Sequence, residues 1–201
     1  MSLKFACVIT TAAAAVISFA ATPSFATSPP ALAFTGAENS AHQCSLAAIA
    51  AQDRGAATDG DLAACDIAVR LAADDHHHLA VALTNRAVIH LMRKEYDATI
   101  ADTTVALGWD NKLPEALVNR GVAKVLAGRP KDAVTDLSAG LDLGPANRER
   151  VFFNRAMARE DSGDFVGAYL DYRKASELSP SWDRPKQELA RFTVVQKAPL
   201  S

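Results

Sequence analysis

Asp74-Asp75-His76-His77-His78 is the densest run of metal-ligating side chains in the chain, since imidazole and carboxylate both bind zinc. Consecutive residues point in different directions, however, and a structural zinc site needs about four converging ligands. The run reads as a solvated loop between helices, and no metal is expected. His90 stands beside Leu91 and Met92 on an apolar segment, where a lone imidazole packs or half-exposes rather than acting as a base. Glu160-Asp161 is an adjacent acid pair; such a pair diverges on a helix and cannot flank one scissile bond. There is no Gly-rich phosphate loop, no Ser elbow and no H-E-x-x-H segment. The residues assemble no catalytic constellation, so no cofactor and no enzymatic activity are expected.

Cysteine chemistry points to a compartment instead. Lys4 precedes an uncharged, mostly apolar stretch from Ala6 to Ala21, and Thr22-Pro23-Ser24-Phe25-Ala26 offers small residues for a signal peptidase. This is the pattern of a cleavable secretory signal over residues 1–26, with Ala31-Leu32-Ala33 a second cleavage point. The apolar run is shorter than the about 18–20 residues a membrane span requires, so no stable membrane insertion is expected after cleavage. Cleavage removes Cys7 and leaves Cys44 and Cys65. An even number in an exported chain favours a disulfide, and two buried thiols packing as small hydrophobes are the alternative. The expected location is periplasmic or secreted.

Three stretches superpose without a gap. Asn85-Arg86-Ala87, Asn119-Arg120-Gly121 and Asn154-Arg155-Ala156 recur at spacings of 34 and 35 residues. An acid follows each Asn by 17 residues, as Asp102, Asp136 and Asp171. Breaks fall inside each unit at Arg93-Lys94-Glu95, Ala127-Gly128-Arg129 and Ser162-Gly163-Asp164. A fixed period of this size marks a repeat architecture whose units bury their apolar faces on one another.

The period and its internal pattern resemble the tetratricopeptide repeat, a helix–turn–helix unit of about 34 residues. The columns that carry the likeness hold Leu83 and Ala87, Leu117 and Gly121, Phe152 and Ala156 on the first helix. On the second they hold Thr99 and Thr103, Ala133 and Leu137, Ala168 and Tyr172. The resemblance implies an all-α fold: a short right-handed α-solenoid with three units at 80–113, 114–148 and 149–182. Residues 27–41 read as a flexible linker, 42–79 as a divergent helical pair capping the N-terminus, and 183–197 as a C-terminal capping helix. The chain departs from the motif in one column, where Arg86, Arg120 and Arg155 stand in place of an apolar residue. A buried Arg is tolerated only when paired, so each is expected to bind Asp102, Asp136 or Asp171, a structural role.

Net charge is −2, which leaves no basic footprint for nucleic acid. In the resembled family the first helices line a concave groove, which implies that Asn85, Asn119 and Asn154 face a ligand. A carboxamide both donates and accepts, so a row of three suits the backbone of an extended peptide. The flanking columns hold Thr84 and Val88, Val118 and Val122, Phe153 and Met157, nearly all apolar. The expected function is a non-enzymatic scaffold in the cell envelope that holds a peptide or helix of a partner protein. The alternative is a structural subunit that self-associates into a homo-oligomer. Leu32, Ala33 and Phe34 of the linker are a further candidate occupant of the groove.

Overall fold

In a computed structural model, residues 36–192 are described. The signal segment, Leu32 to Phe34 and the tail from residue 193 lie outside them. The described residues form helices throughout, with no strand among them: α1 (Gly36–Arg54), α2 (Asp59–Leu71), α3 (His76–Met92), α4 (Tyr96–Trp109), α5 (Pro114–Leu126), α6 (Pro130–Asp142), α7 (Arg148–Asp161), α8 (Phe165–Leu178) and α9 (Asp183–Leu189). None is long and apolar enough to cross a membrane.

Local chemistry sets the helix ends. Pro114 and Pro130 open α5 and α6, where a fixed φ is an advantage and the missing N–H costs nothing. Thr58 and Asp61 form a reciprocal capping box on α2. Gly128 and Gly163 close α5 and α7 with positive φ of 73° and 86°. The equivalent position after α3 is Lys94, which holds φ 64° without being glycine, at a cost of roughly 1–2 kcal/mol.

Two spans differ from the sequence expectation. Helix α1 already begins at Gly36, inside the stretch read as linker. The Asp74–His78 run is a loop only as far as Asp75, whose carboxylate accepts the backbone N–H groups of His77 and His78. Asp75 is thus an N-cap, and the three histidines make an extra first turn. Helix α3 accordingly has 17 residues against 13 in α5 and 14 in α7. His76 in that turn stacks on Trp109 at the end of α4, with ring centroids 3.8 Å apart. No metal-binding cluster occurs among the described residues.

Helices pack pairwise, α1 with α2, α3 with α4, α5 with α6 and α7 with α8. Successive first helices also touch, α3 on α5 and α5 on α7, whereas contacts between successive second helices are far sparser. The array therefore curves with α3, α5 and α7 on its inner side. Close approach within a pair depends on small residues: a Cβ built on Gly121 would lie 2.7 Å from Leu137 Cγ. At the C-terminal end Phe153, Tyr172, Trp182 and Phe192 form an aromatic cluster that α9 closes.

Candidate peptide-binding face

The arginine column is paired as its burial requires. Arg86 grips Asp102 through Nε and Nη2, both at 2.8 Å. Arg120 grips Asp136 at 2.9 and 2.7 Å, and Arg155 grips Asp171 at 2.8 and 2.9 Å. These forks match the planar guanidinium to a carboxylate. The remaining Nη1 of each Arg reaches back to the preceding second helix, to Asp66, Thr104 and Ser138. Each Arg thus ties its own helix pair together and fastens it to the one before.

A second base stands one turn further along each first helix. Lys124 Nζ lies 2.7 Å from Asp136 and Arg159 Nη1 lies 2.9 Å from Asp171. His90 holds the same column, with Nε2 3.7 Å from Asp102 and Nδ1 2.6 Å from Glu95. Hydrogen bonds from Arg93 and His90 hold the Glu95 carboxyl below its ordinary range. His90 is therefore one member of the polar cluster around Asp102, and the recurrence of His, Lys or Arg five residues after each Asn is its sequence signal.

The disulfide joins Cys44 on α1 to Cys65 on α2, both fully buried. It staples the N-terminal pair across its turn.

The residues expected to face a ligand lie deeper than a groove lining. Asn85, Asn119 and Asn154 are buried, Asn119 to 1% exposure. Thr84, Val88, Val118, Val122 and Phe153 are buried as well. Met157 alone of the set is half-buried. Val118 packs toward Gly140 on α6, and Phe153 is covered by the chain's own Trp182 and Arg184, at 4.9 and 5.1 Å. Most of the expected site residues sit beneath the surface, Val88, Val118 and Val122 in one core cluster and Phe153 in the next.

On the inner side, half-exposed groups overlie that layer. Along α5, Glu115, Val118, Asn119, Val122 and Leu126 fall at helical spacing on one stripe, with Val125 beside it. Glu115, Val125 and Leu126 are half-buried, as is Val81 in the corresponding column of α3. Burial pushes the Glu115 carboxyl above its ordinary range, against an opposing bond to its own backbone. Burial, reinforced by the neighbouring Glu160 carboxylate, likewise pushes the Tyr172 hydroxyl up; it donates to Glu160 at 3.0 Å. A depression of about 440 Å³ lined by Lys94 to Ala98 and Ala127 lies at the turn edge.

No protein-family model matches the chain, and neither does any curated protein. Solved structures do. The first TPR domain of human RPAP3 superposes with a TM-score of 0.53 at 23% identity, covering 57% of this chain and 89% of that one. The first TPR of Spaghetti (RPAP3), bound to the HSP90 peptide SRMEEVD, gives 0.53 at 22% identity, over 56% and 88%. A double mutant of MamA RS-1 gives 0.61 at 15% identity, over 75% and 82%. Helix pairing, recurring columns and these likenesses agree: the chain has the tetratricopeptide-repeat fold.

Proposed function

We propose that this protein is a non-catalytic scaffold that holds a segment of a partner protein along the inner side of α3, α5 and α7. The observation that carries this is the inner stripe itself. Val81, Val125, Leu126 and Met157 remain partly exposed on the concave side, where an apolar surface normally marks a binding site. Beneath them, Asn85, Asn119 and Asn154, with Thr84, Val88, Val118, Val122 and Phe153, form the floor that sets the shape of the face. A structure of this fold holding a peptide supports the reading. The cell envelope is the proposed location: the disulfide suits an oxidising compartment, and the amino-terminal pattern suits export. Val125→Asn combined with Met157→Asn is expected to abolish partner capture while leaving the helical signal intact. Retention of the partner by this variant would refute the site.

A second reading is favoured by a different surface. Phe165, Val166 and Leu170 on α8 are 59%, 74% and 45% exposed. The same columns in the two preceding units hold Tyr96, Asp97 and Ala101, then Pro130, Lys131 and Thr135. The last unit has thus exchanged a largely polar outer face for an apolar one, which suits self-association. Sedimentation that depends on concentration, and loses that dependence in Val166→Asp, would support it.

A further inference from the structure

Glu115 is a half-buried carboxylate for which no cation appears among the described residues. The most deeply buried carboxylates are served: Asp102, Asp136 and Asp171 each accept an Arg and sit beside a second base. Asp61 takes Arg54, and Glu160 takes Arg191. An acid in the first turn of α5 is ordinary, because the helix amino end favours negative charge. That accounts for its charge and not for its burial without a counter-ion, which is costly unless something compensates it.

Its position says what would. Glu115 lies one turn before Val118 and Asn119 on the stripe that continues to Val122 and Leu126. The equivalent columns on the neighbouring first helices hold Val81 and an exposed Arg150. The face thus presents one half-buried negative charge in the middle of an apolar strip, bounded on the C-terminal side by a positive one.

Resting on the reading of the inner side as a binding face, we propose that the partner segment is basic at one defined position. A lysine or arginine pairs with Glu115, and apolar residues on either side cover the valines of α5 and Met157. The charge fixes the register of the segment; the apolar contacts supply most of the affinity. An acidic segment is disfavoured in the same register, because it would bring like charge to a desolvated carboxylate.

The test is selection of a random dodecapeptide phage library on the immobilised full chain, run in parallel on Glu115→Gln and Glu115→Lys. Wild-type selection is expected to enrich Lys or Arg at one position by about five-fold over the library. The isosteric Gln variant should lose that enrichment while still selecting the same apolar positions, and the Lys variant should enrich Asp or Glu there. Basic enrichment absent from the wild-type selection, or persisting in the Gln variant, would overturn the pairing while leaving the binding face standing. A library that gives no enrichment over blank resin on any of the three proteins would overturn the binding face itself, and this inference with it.

Discussion

Arg86 Nη1 donates to Asp66 Oδ1 at 2.9 Å, the same reach that joins Arg120 to Thr104 and Arg155 to Ser138. This bond sets the register of the divergent first pair against the repeats. Asp66 and Thr104 are 38 residues apart, so Ala64 occupies the place of the Asp. Ala56 bonds back to Ala51 as Glu95 does to His90, which puts Ala51 in the place of the second base and Ala47 in that of the Arg. The first pair has lost its ion cluster. Cys44 precedes Ala47 by three residues and Cys65 follows Ala64 directly, so the disulfide lies within a turn of the place where the ion cluster holds the other pairs. The four-residue excess over the usual period is the histidine turn that lengthens α3.

The covalent staple should therefore matter locally. Closing a loop of 21 residues is worth about 3 kcal/mol in the chain-entropy model. Hydrogen exchange of the Cys44→Ser, Cys65→Ser protein is expected to accelerate in α1 and α2 while α5 to α8 keep their protection. Uniform acceleration across the array would show that the pair is not a separable cap.

Gln52, in the last turn of α1, holds the column that Leu91 fills in α3. Both polar atoms of its carboxamide are buried without a hydrogen-bond partner, and an unsatisfied buried group costs about 1–3 kcal/mol. Gln52→Met is expected to raise unfolding stability by about 1–2 kcal/mol, measured by urea titration. A loss of stability would mean that the amide is satisfied in solution.

The ion clusters give a coupling prediction. Asp136 is gripped by Arg120 and Lys124, and its side chain is 6% exposed. Arg120→Ala and Asp136→Ala should each cost about 3–5 kcal/mol, with the double variant costing far less than their sum. Additive effects below about 1 kcal/mol are what solvent-exposed pairs would give.

Glu115 makes stability depend on pH in the opposite sense to Glu95. Its carboxyl is raised on folding, so its contribution is intact below the unfolded value of about 4.3 and is lost as pH rises through the folded one. Glu95, which is lowered by Arg93 and His90, behaves in reverse: its contribution is present above about 4.3 and lost as pH falls through the folded value. Glu115→Gln should match wild type in melting temperature at pH 3.5 and exceed it at pH 7. Equal melting temperatures at both pH values would show that the carboxylate is solvated.

The architecture was legible in the sequence because its columns are set by close packing. Ala87, Gly121 and Ala156 are small because a second helix lies against them, and the Arg and Asp columns sit sixteen residues apart because the two helices meet there. The histidine run was misread because a single capping residue, Asp75, decides between loop and helix. The face was less legible. Spacing places Asn119, Val122 and Phe153 on the first-helix faces, but how deep each lies depends on neighbouring helices and, for Phe153, on Trp182 and Arg184, contacts no single column records. Phe153 shows the consequence: it packs on Tyr172 and Trp182, so its truncation tests the fold before it tests binding.

Site-specific photo-crosslinking tests the central claim most directly. Benzoylphenylalanine is placed at Met157 on the inner side or at Val166 on the outer face of α8, in cells that produce the full chain. The account predicts a discrete higher-mass adduct from position 157 and none of that mass from position 166. An adduct from position 166 with none from position 157 would contradict it, and would move the binding surface to the outside of the array.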